Sequence, residues 1–208
     1  MVCPLCKSTN VKQRVDAFQF LTCSNCGSVF RNPEDFPNPQ KERERYLQHN
    51  NNIEDPRYQR FVNPIVEAVV KTFPTTSMGL DFGAGTGPVI SKILGDRGYA
   101  MHLWDPFFHS DRSVLDKTYD FIVCCEVIEH FHKPYEEFQL MQSLLKPNGT
   151  LFCMSELLPG ASQFSTWYYK DDPTHVIFYS EQNLLWIQEH LEYAQLEISD
   201  RLIVLSKA

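Results

Sequence analysis

The spacing of apolar residues along this chain changes period. After Pro64, the residues Ile65, Val66, Val69 and Val70 recur at helical intervals, which predicts an amphipathic helix from that point. Beyond residue 77, short apolar runs alternate with helical patterns. The runs over 78–82, 100–104, 121–125 and 150–154 have strand length, and helices are predicted over 89–95, 134–145 and 180–190. Ser180 is a natural N-cap for the last helix, with Asn183 three residues on. Lys146-Pro147-Asn148-Gly149 reads as a turn before the strand at 150, and two further strands are expected at 195–198 and 201–205. Strands alternating with helices in this way predict an α/β fold, a mostly parallel sheet covered on both faces.

The first 60 residues follow neither period. Residues 1–33 form a first unit that holds four cysteines. Residues 34–60 read as a linker, with Pro37, Pro39 and Pro56, the charged stretch 41–45, three consecutive asparagines and one short helix over 40–48. Residues 61–208 form the main domain. In the first unit Cys3-Pro4-Leu5-Cys6 and Cys23-Ser24-Asn25-Cys26 are two C-x-x-C knuckles separated by sixteen residues. Two such knuckles supply the four thiolates of a tetrahedral zinc site, and so short a unit buries too little apolar surface to fold without a staple. A zinc ribbon is therefore expected, with Cys3, Cys6, Cys23 and Cys26 as ligands. A redox dithiol is the weaker alternative, since it would need a single C-x-x-C in a βαβ setting.

Composition narrows the function classes. The 208 residues carry 19 basic and 26 acidic side chains, a net charge of −7. That balance is poor for general binding to nucleic-acid backbones. The ribbon adds no basic patch: Lys7, Lys12, Arg14 and Arg31 face one acid, Asp16, and four thiolates around zinc bring the unit to about +1. It reads as a folding module, or as one that docks a protein or a second subunit. No run of 18 apolar residues exists to span a membrane, and the N-terminus lacks a secretory pattern. An odd number of cysteines, paired as C-x-x-C, points away from a secreted disulfide framework and towards the cytoplasm.

The strand 78–82 runs into Asp81-Phe82-Gly83-Ala84-Gly85-Thr86-Gly87, a glycine loop that opens a helix. Its spacing is G-x-G-x-G, not the G-x-G-x-x-G of dinucleotide binders. Asp105 ends the next strand, where a carboxylate can accept hydrogen bonds from ribose hydroxyls, and Glu126 ends the one after. Three acids at the carboxyl ends of neighbouring strands suit a nucleoside that carries positive charge and no phosphate.

In these motifs the chain resembles the class I S-adenosylmethionine-dependent methyltransferases over about residues 60–206. The run 80–87 is similar to their first motif, Asp105 to their ribose-binding acid, the stretches 119–123 and 126–130 to their fourth-strand motif, and 144–150 to the turn before their fifth strand. The resemblance implies a Rossmann-like sheet of seven strands with one antiparallel strand near its end. It also implies S-adenosylmethionine as cofactor, held by Asp81, Gly83, Ala84, Gly85, Gly87, Asp105 and Glu126. Phe107 is a candidate cover for the purine or a packing residue, and Tyr46 a candidate lid, since N-terminal helices of this family often lie over the cofactor. Only thirteen residues separate Asp105 from Tyr119, so the family's third strand must be very short, near 113–115, and the helix before it missing.

Methyl transfer requires alignment of nucleophile, methyl carbon and sulfur, and often a base. Glu129, His130 and His175 are the candidates. With Glu126 they resemble the two-glutamate, two-histidine site of metal-dependent methyltransferases acting on RNA 3′ ends and in the ubiquinone pathway, which implies a possible second divalent metal. Without a metal, His175 is a candidate general base, and structural roles for Glu129 and His130 stay open. The stretch 167–172 follows the fifth strand and is a candidate acceptor wall or a packing cluster. Cys124, Cys125 and Cys153 fall in apolar strands and read as packing residues. The expected function is methyl transfer to a small molecule. An RNA or ribosome methyltransferase and a noncatalytic adaptor that keeps the cofactor fold are the competing readings.

Overall fold

The structure, a computed structural model, describes residues 1–14, 19–48, 52–160 and 162–208. Asp16 and two of the three consecutive asparagines, Asn50 and Asn51, lie outside these. The N-terminal unit is a meander of β1 (Val11–Gln13), β2 (Phe20–Cys23) and β3 (Val29–Arg31), paired antiparallel in that order. The two cysteine knuckles are built alike. In each, the residue after the second cysteine takes a left-handed backbone, Lys7 at φ 59° and Gly27 at φ 77°. Its N–H donates to the carbonyl of the first cysteine, at 3.1 Å for Lys7 to Cys3 and 3.0 Å for Gly27 to Cys23.

Helix α1 (Pro39–Tyr46) is capped by Asn38, whose side chain accepts from the Lys41 N–H, with Pro39 in the first turn. Helix α2 (Pro56–Thr72) starts a full two turns before the expected Pro64. Asp55 caps it, and Pro56 pre-sets its first turn. Pro64 sits inside the helix, which continues past the missing donor because Val62, Ile65, Val66 and Val69 are all buried along one stripe. Val70 lies off that stripe and is exposed.

The main sheet is laid down by β4 (Met78–Phe82), helix α3 (Val89–Asp96), β5 (Ala100–Trp104), β6 (Tyr119–Cys125), helix α4 (Pro134–Leu144) and β7 (Leu145–Met154). The two-residue strand β8 (Ile177–Phe178), helix α5 (Glu181–His190), β9 (Tyr193–Ser199) and β10 (Leu202–Lys207) complete the chain. The strand order is β5-β4-β6-β7-β10-β9; the first four are parallel, and β10 is antiparallel to both its neighbours. The expected turn at 146–149 lies within β7, where Asn148 takes φ 61° and the register against β6 shifts. Ser180 and Asn183 form the reciprocal capping box that starts α5.

This is the Rossmann-like α/β sheet expected, with one strand fewer among the described residues. The region 113–115 is not a strand: Arg112–Asp116 form a 3₁₀ turn, and an isolated bridge between Asp105 and His109 closes the chain on itself just before it. Thirteen residues leave no length for a crossover, so β5 is the sheet edge.

Alternation along β6 and β7 sends side chains to two cores. Phe121, Val123, Phe152 and Met154 pack under α2 and α3, while Ile122, Cys124, Leu151 and Cys153 face α4 and α5. Cys124 and Cys153 are wholly buried packing residues, as expected, and Cys125 is half-buried. The second core continues through Leu5, Leu21, Cys23 and Phe30, so the cysteine unit shares it. That unit is joined to the main chain by a strand as well: β3 pairs antiparallel with β8, Val29 opposite Phe178 and Phe30 opposite Ile177.

Candidate active site

The carboxyl ends of β4, β5 and β6 open into one cleft of about 1110 Å³, lined by the loop 83–87, Asp105, Phe107, Glu126, the 129–133 segment, Tyr169, His175 and, from α1, Tyr46. Every residue expected to hold a cofactor therefore borders a single space, as strand order around a parallel sheet requires.

Gly83 takes φ 82°, and a Cβ there would stand 2.4 Å from Val127 Cγ2, so only glycine fits. The loop turns its N–H groups towards protein acceptors. Gly83 and Ala84 donate to the Trp104 carbonyl at 2.8 and 3.1 Å, and Gly85 donates to Asp105 Oδ2 at 3.0 Å. These three bonds fix the loop's shape for close approach and take the N–H groups of Gly83, Ala84 and Gly85 out of any phosphate cradle. Asp105 is central to the loop. Its second oxygen accepts from Phe107 and Phe108 N–H at 2.8 and 3.0 Å, so one carboxylate clamps the glycine loop and the turn after β5 together. Asp81 lies below the loop, where Ser91 Oγ donates to it at 2.8 Å and burial pushes its carboxyl up to about 6.

Phe107 meets the ring of Tyr46, with centroids 5.6 Å apart, and Tyr46 in turn lies 5.2 Å from His130. Tyr46 thus bridges the cofactor end and the histidine end of the cleft. Helix α1 is held there by Arg45, which donates to Asp172 Oδ2 through Nε at 3.0 Å and through a terminal nitrogen at 2.6 Å, and by Glu42, which faces His132 at 2.9 Å. Against the raising effect of burial, the Thr174 hydroxyl and Arg45 hold Asp172 well below the usual carboxylate range.

Glu129, His130 and His175 come together: their ligand atoms lie within 4.8 Å of one another. Both imidazoles are anchored through Nδ1, His130 to the Thr174 carbonyl at 2.9 Å and His175 to the Tyr169 carbonyl at 2.6 Å. A carbonyl accepts only from N–H, so both rings carry the Nδ1 proton, and in the neutral ring Nε2 is the basic nitrogen. Burial lowers the pKa of His130 and keeps it neutral. Glu129 is wholly buried; Tyr169 donates its hydroxyl to one oxygen and Ser155 to the other, at 3.1 Å for Ser155.

Glu126 does not join this group. Its backbone takes φ 53° at the end of β6, and its carboxylate is gripped by both contacts of an Arg201 terminal nitrogen, at 2.7 and 2.9 Å. Burial and the charge of Glu129 push Glu126 up, and burial pushes Glu129 up, each to about 7. Arg201 favours the ionised form of both, and the two carboxyls titrate as one pair. A site of two glutamates and two histidines is thus not assembled; one glutamate and two histidines are.

Sequence reading missed Arg201, Ser155 and the latch formed by Arg45. Ser155 follows β7 directly, a carboxyl-end position that was a usable signal. Arg201 comes from the turn between β9 and β10, and nothing local ties it to Glu126, 75 residues away.

The four cysteine sulfurs also cluster within 4.8 Å, with Cys3 and Cys26 at 3.6 Å and Cys6 and Cys23 at 3.5 Å. Zinc–sulfur bonds of about 2.3 Å at tetrahedral angles set sulfurs about 3.8 Å apart, so the donor set fits that ion. These distances are far from a disulfide, and all four thiols are free. The hydrogen bond from Cys3, and against burial that of the Ser28 hydroxyl, brings Cys26 down to about 5, into thiolate range.

A family model described as a methyltransferase domain matches residues 54–198. The chain belongs to that family. Among solved structures, a SAM-dependent methyltransferase from Archaeoglobus fulgidus is similar at 16% identity and a TM-score of 0.55, over 72% of this chain and 94% of that one. An O-methyltransferase family protein from Burkholderia thailandensis is similar at 13% identity and a TM-score of 0.54, over 80% of this chain and 68% of that one. At these identities the likeness is one of fold. No curated protein matches the chain at a significant level. Among the described residues, no helix is long and apolar enough to cross a membrane.

Proposed function

We propose that this methyltransferase uses S-adenosylmethionine to methylate a small molecule bound beside His175. The single observation that carries the reading is the continuity of one cleft, from the glycine loop past Asp105 to Glu129, His130 and His175. When bound, the cofactor supplies an electrophilic methyl group on a positively charged sulfur. Asp105 and the loop 83–87 would seat its nucleoside and methionine parts, with Phe107 and Tyr46 excluding water. The acceptor's proton would pass to His175 Nε2, whose ring is fixed by the bond from Nδ1 to Tyr169, and the acids of the cleft suit a cationic ligand. The cysteines would hold one zinc ion, and the thiol-rich unit suits a reducing, cytoplasmic setting.

A small acceptor is favoured over RNA because the chain carries a net charge of −7 and two of the cations lining the cleft are already engaged, Arg45 with Asp172 and Arg201 with Glu126 and Glu156. A divalent metal on Glu129, His130 and His175 is a second reading. It is favoured by the anchoring of both Nδ1 atoms on carbonyls, the arrangement usual behind metal-bound histidines. Methyl-labelled S-adenosylmethionine, incubated with the protein and separately with small-molecule extract or total RNA, tests the proposal. Label in the small-molecule pool, lost in His175→Ala, supports it; label in RNA alone overturns it.

A further inference from the structure

Tyr169, Asp172 and His175 lie on one stretch of chain that has almost no regular structure of its own, a 3₁₀ turn over Tyr168–Asp171 and the two residues of β8. Such a stretch cannot fix three side chains unless its backbone is held from outside. On one side the Val176 N–H donates to the Glu129 carbonyl at 2.9 Å. Arg45 grips the Asp172 carboxylate and His130 bonds the Thr174 carbonyl; a further hold, on the backbone itself, comes from the cysteine unit through one residue.

Arg31, at the end of β3, donates its backbone N–H to the Val176 carbonyl at 2.8 Å. Its guanidinium donates to the Lys170 carbonyl at 3.1 Å and to the Asp172 carbonyl at 3.4 Å. The same Asp172 carbonyl takes the His175 N–H at 3.1 Å, and the Tyr169 carbonyl takes the His175 imidazole. Arg31 therefore holds the carbonyls on either side of Asp171, inside the loop that orients His175. Its charge lies over the Phe20 ring, 4.8 Å from the centroid, and its Nε is buried without a hydrogen-bond partner. An apolar side chain would fill that space at lower desolvation cost, so the placement makes sense through the two carbonyls it reaches.

We infer that Arg31 is a positioning residue for the acceptor end of the cleft, and that the four-cysteine sheet is the platform from which it acts. The inference rests on the reading that Tyr169 and His175 serve methyl transfer. It gives the N-terminal unit a role inside the reaction, in place of a nucleic-acid or partner-docking arm.

The test uses the full chain with Arg31→Met, which keeps the apolar stem, and Arg31→Lys, which keeps the charge but not the planar fork. Three readouts are taken: calorimetric affinity for S-adenosylmethionine, amide exchange over 168–178, and the imidazole NMR signals of His175 against those of His102 and His190. In Arg31→Met the segment should exchange roughly tenfold faster and the His175 signals should shift, while His102, His190 and cofactor affinity stay as in the wild type. Arg31→Lys should restore part of both effects. Unchanged exchange and His175 signals in folded Arg31→Met would overturn the inference. Should Arg31→Met fail to fold, Arg31→Lys decides: a disturbance confined to 168–178 supports it, and wild-type behaviour throughout overturns it. If the wild type itself fails to bind the cofactor, the functional reading falls, while exchange and imidazole signals still judge the positioning role.

Discussion

Replacing Glu129 by glutamine should make the protein more stable at pH 8 and remove a pH dependence that the wild type shows. The Glu129 carboxyl is wholly buried, its two oxygens met by the hydroxyls of Tyr169 and Ser155. Burial pushes its pKa from 4.5 to about 7. The native state thus holds this proton more tightly than the unfolded chain does. Between those two values the folded protein carries the extra proton, so unfolding free energy falls as pH rises, and the penalty is complete above the higher one. At 1.36 kcal/mol per unit the displacement corresponds to roughly 3 kcal/mol, an upper figure because Glu126 titrates with Glu129 as a pair. Glutamine has no such penalty but fits the two hydroxyl donors less well, at about 1 kcal/mol. The net gain at pH 8 should be about 2 kcal/mol, vanishing or reversing at pH 5. Urea unfolding of both proteins at the two pH values measures it, and the difference between them cancels what the cysteines contribute in acid. Equal differences at pH 5 and pH 8 would refute the assignment of Glu129 as a buried, strained acid.

Gly83→Ala should abolish cofactor binding and lower stability by about 2–4 kcal/mol, since it combines a left-handed backbone with a clash on Val127; a thermal melt and a cofactor titration on the same sample check both. Removing metal with a strong chelator should release one zinc ion per chain and loosen β3 and β8 together, because the two are paired. Amide exchange at Phe30 and Ile177 rising in parallel would be the sign of it, and exchange confined to the first 31 residues would speak against it.

The elements that repeat a period were legible in the sequence. Strand β4, the glycine loop and Asp105 were placed because each uses local chemistry: an apolar run, a turn only glycine makes, a carboxylate at a strand end. The capping box of Ser180 and Asn183 was legible for the same reason. The start of α2 is harder to read, because Pro64 looks like a helix start while Asp55 and Pro56, the actual one, lie in a stretch with the composition of a linker. The third strand was expected on family grounds and fails on length alone. Long-range partners had no signal. Arg201 reaches Glu126 only once β10 has been added to the sheet, and Arg31 reaches Asp172 only because two residues of β8 extend the cysteine sheet. A likeness to two-glutamate, two-histidine metal sites would set Glu126 beside the histidines; its capture by Arg201 follows only from the fold.

The most direct test of the central claim is calorimetric titration of the purified protein with S-adenosylmethionine, for the wild type and for Asp105→Asn. Asparagine keeps an oxygen for the N–H groups of Phe107 and Phe108 but sets an amide donor against the N–H of Gly85, unlatching the glycine loop. The account expects micromolar binding by the wild type and a loss of roughly tenfold or more in the variant. No binding by folded wild-type protein, or equal binding by the two, would contradict it.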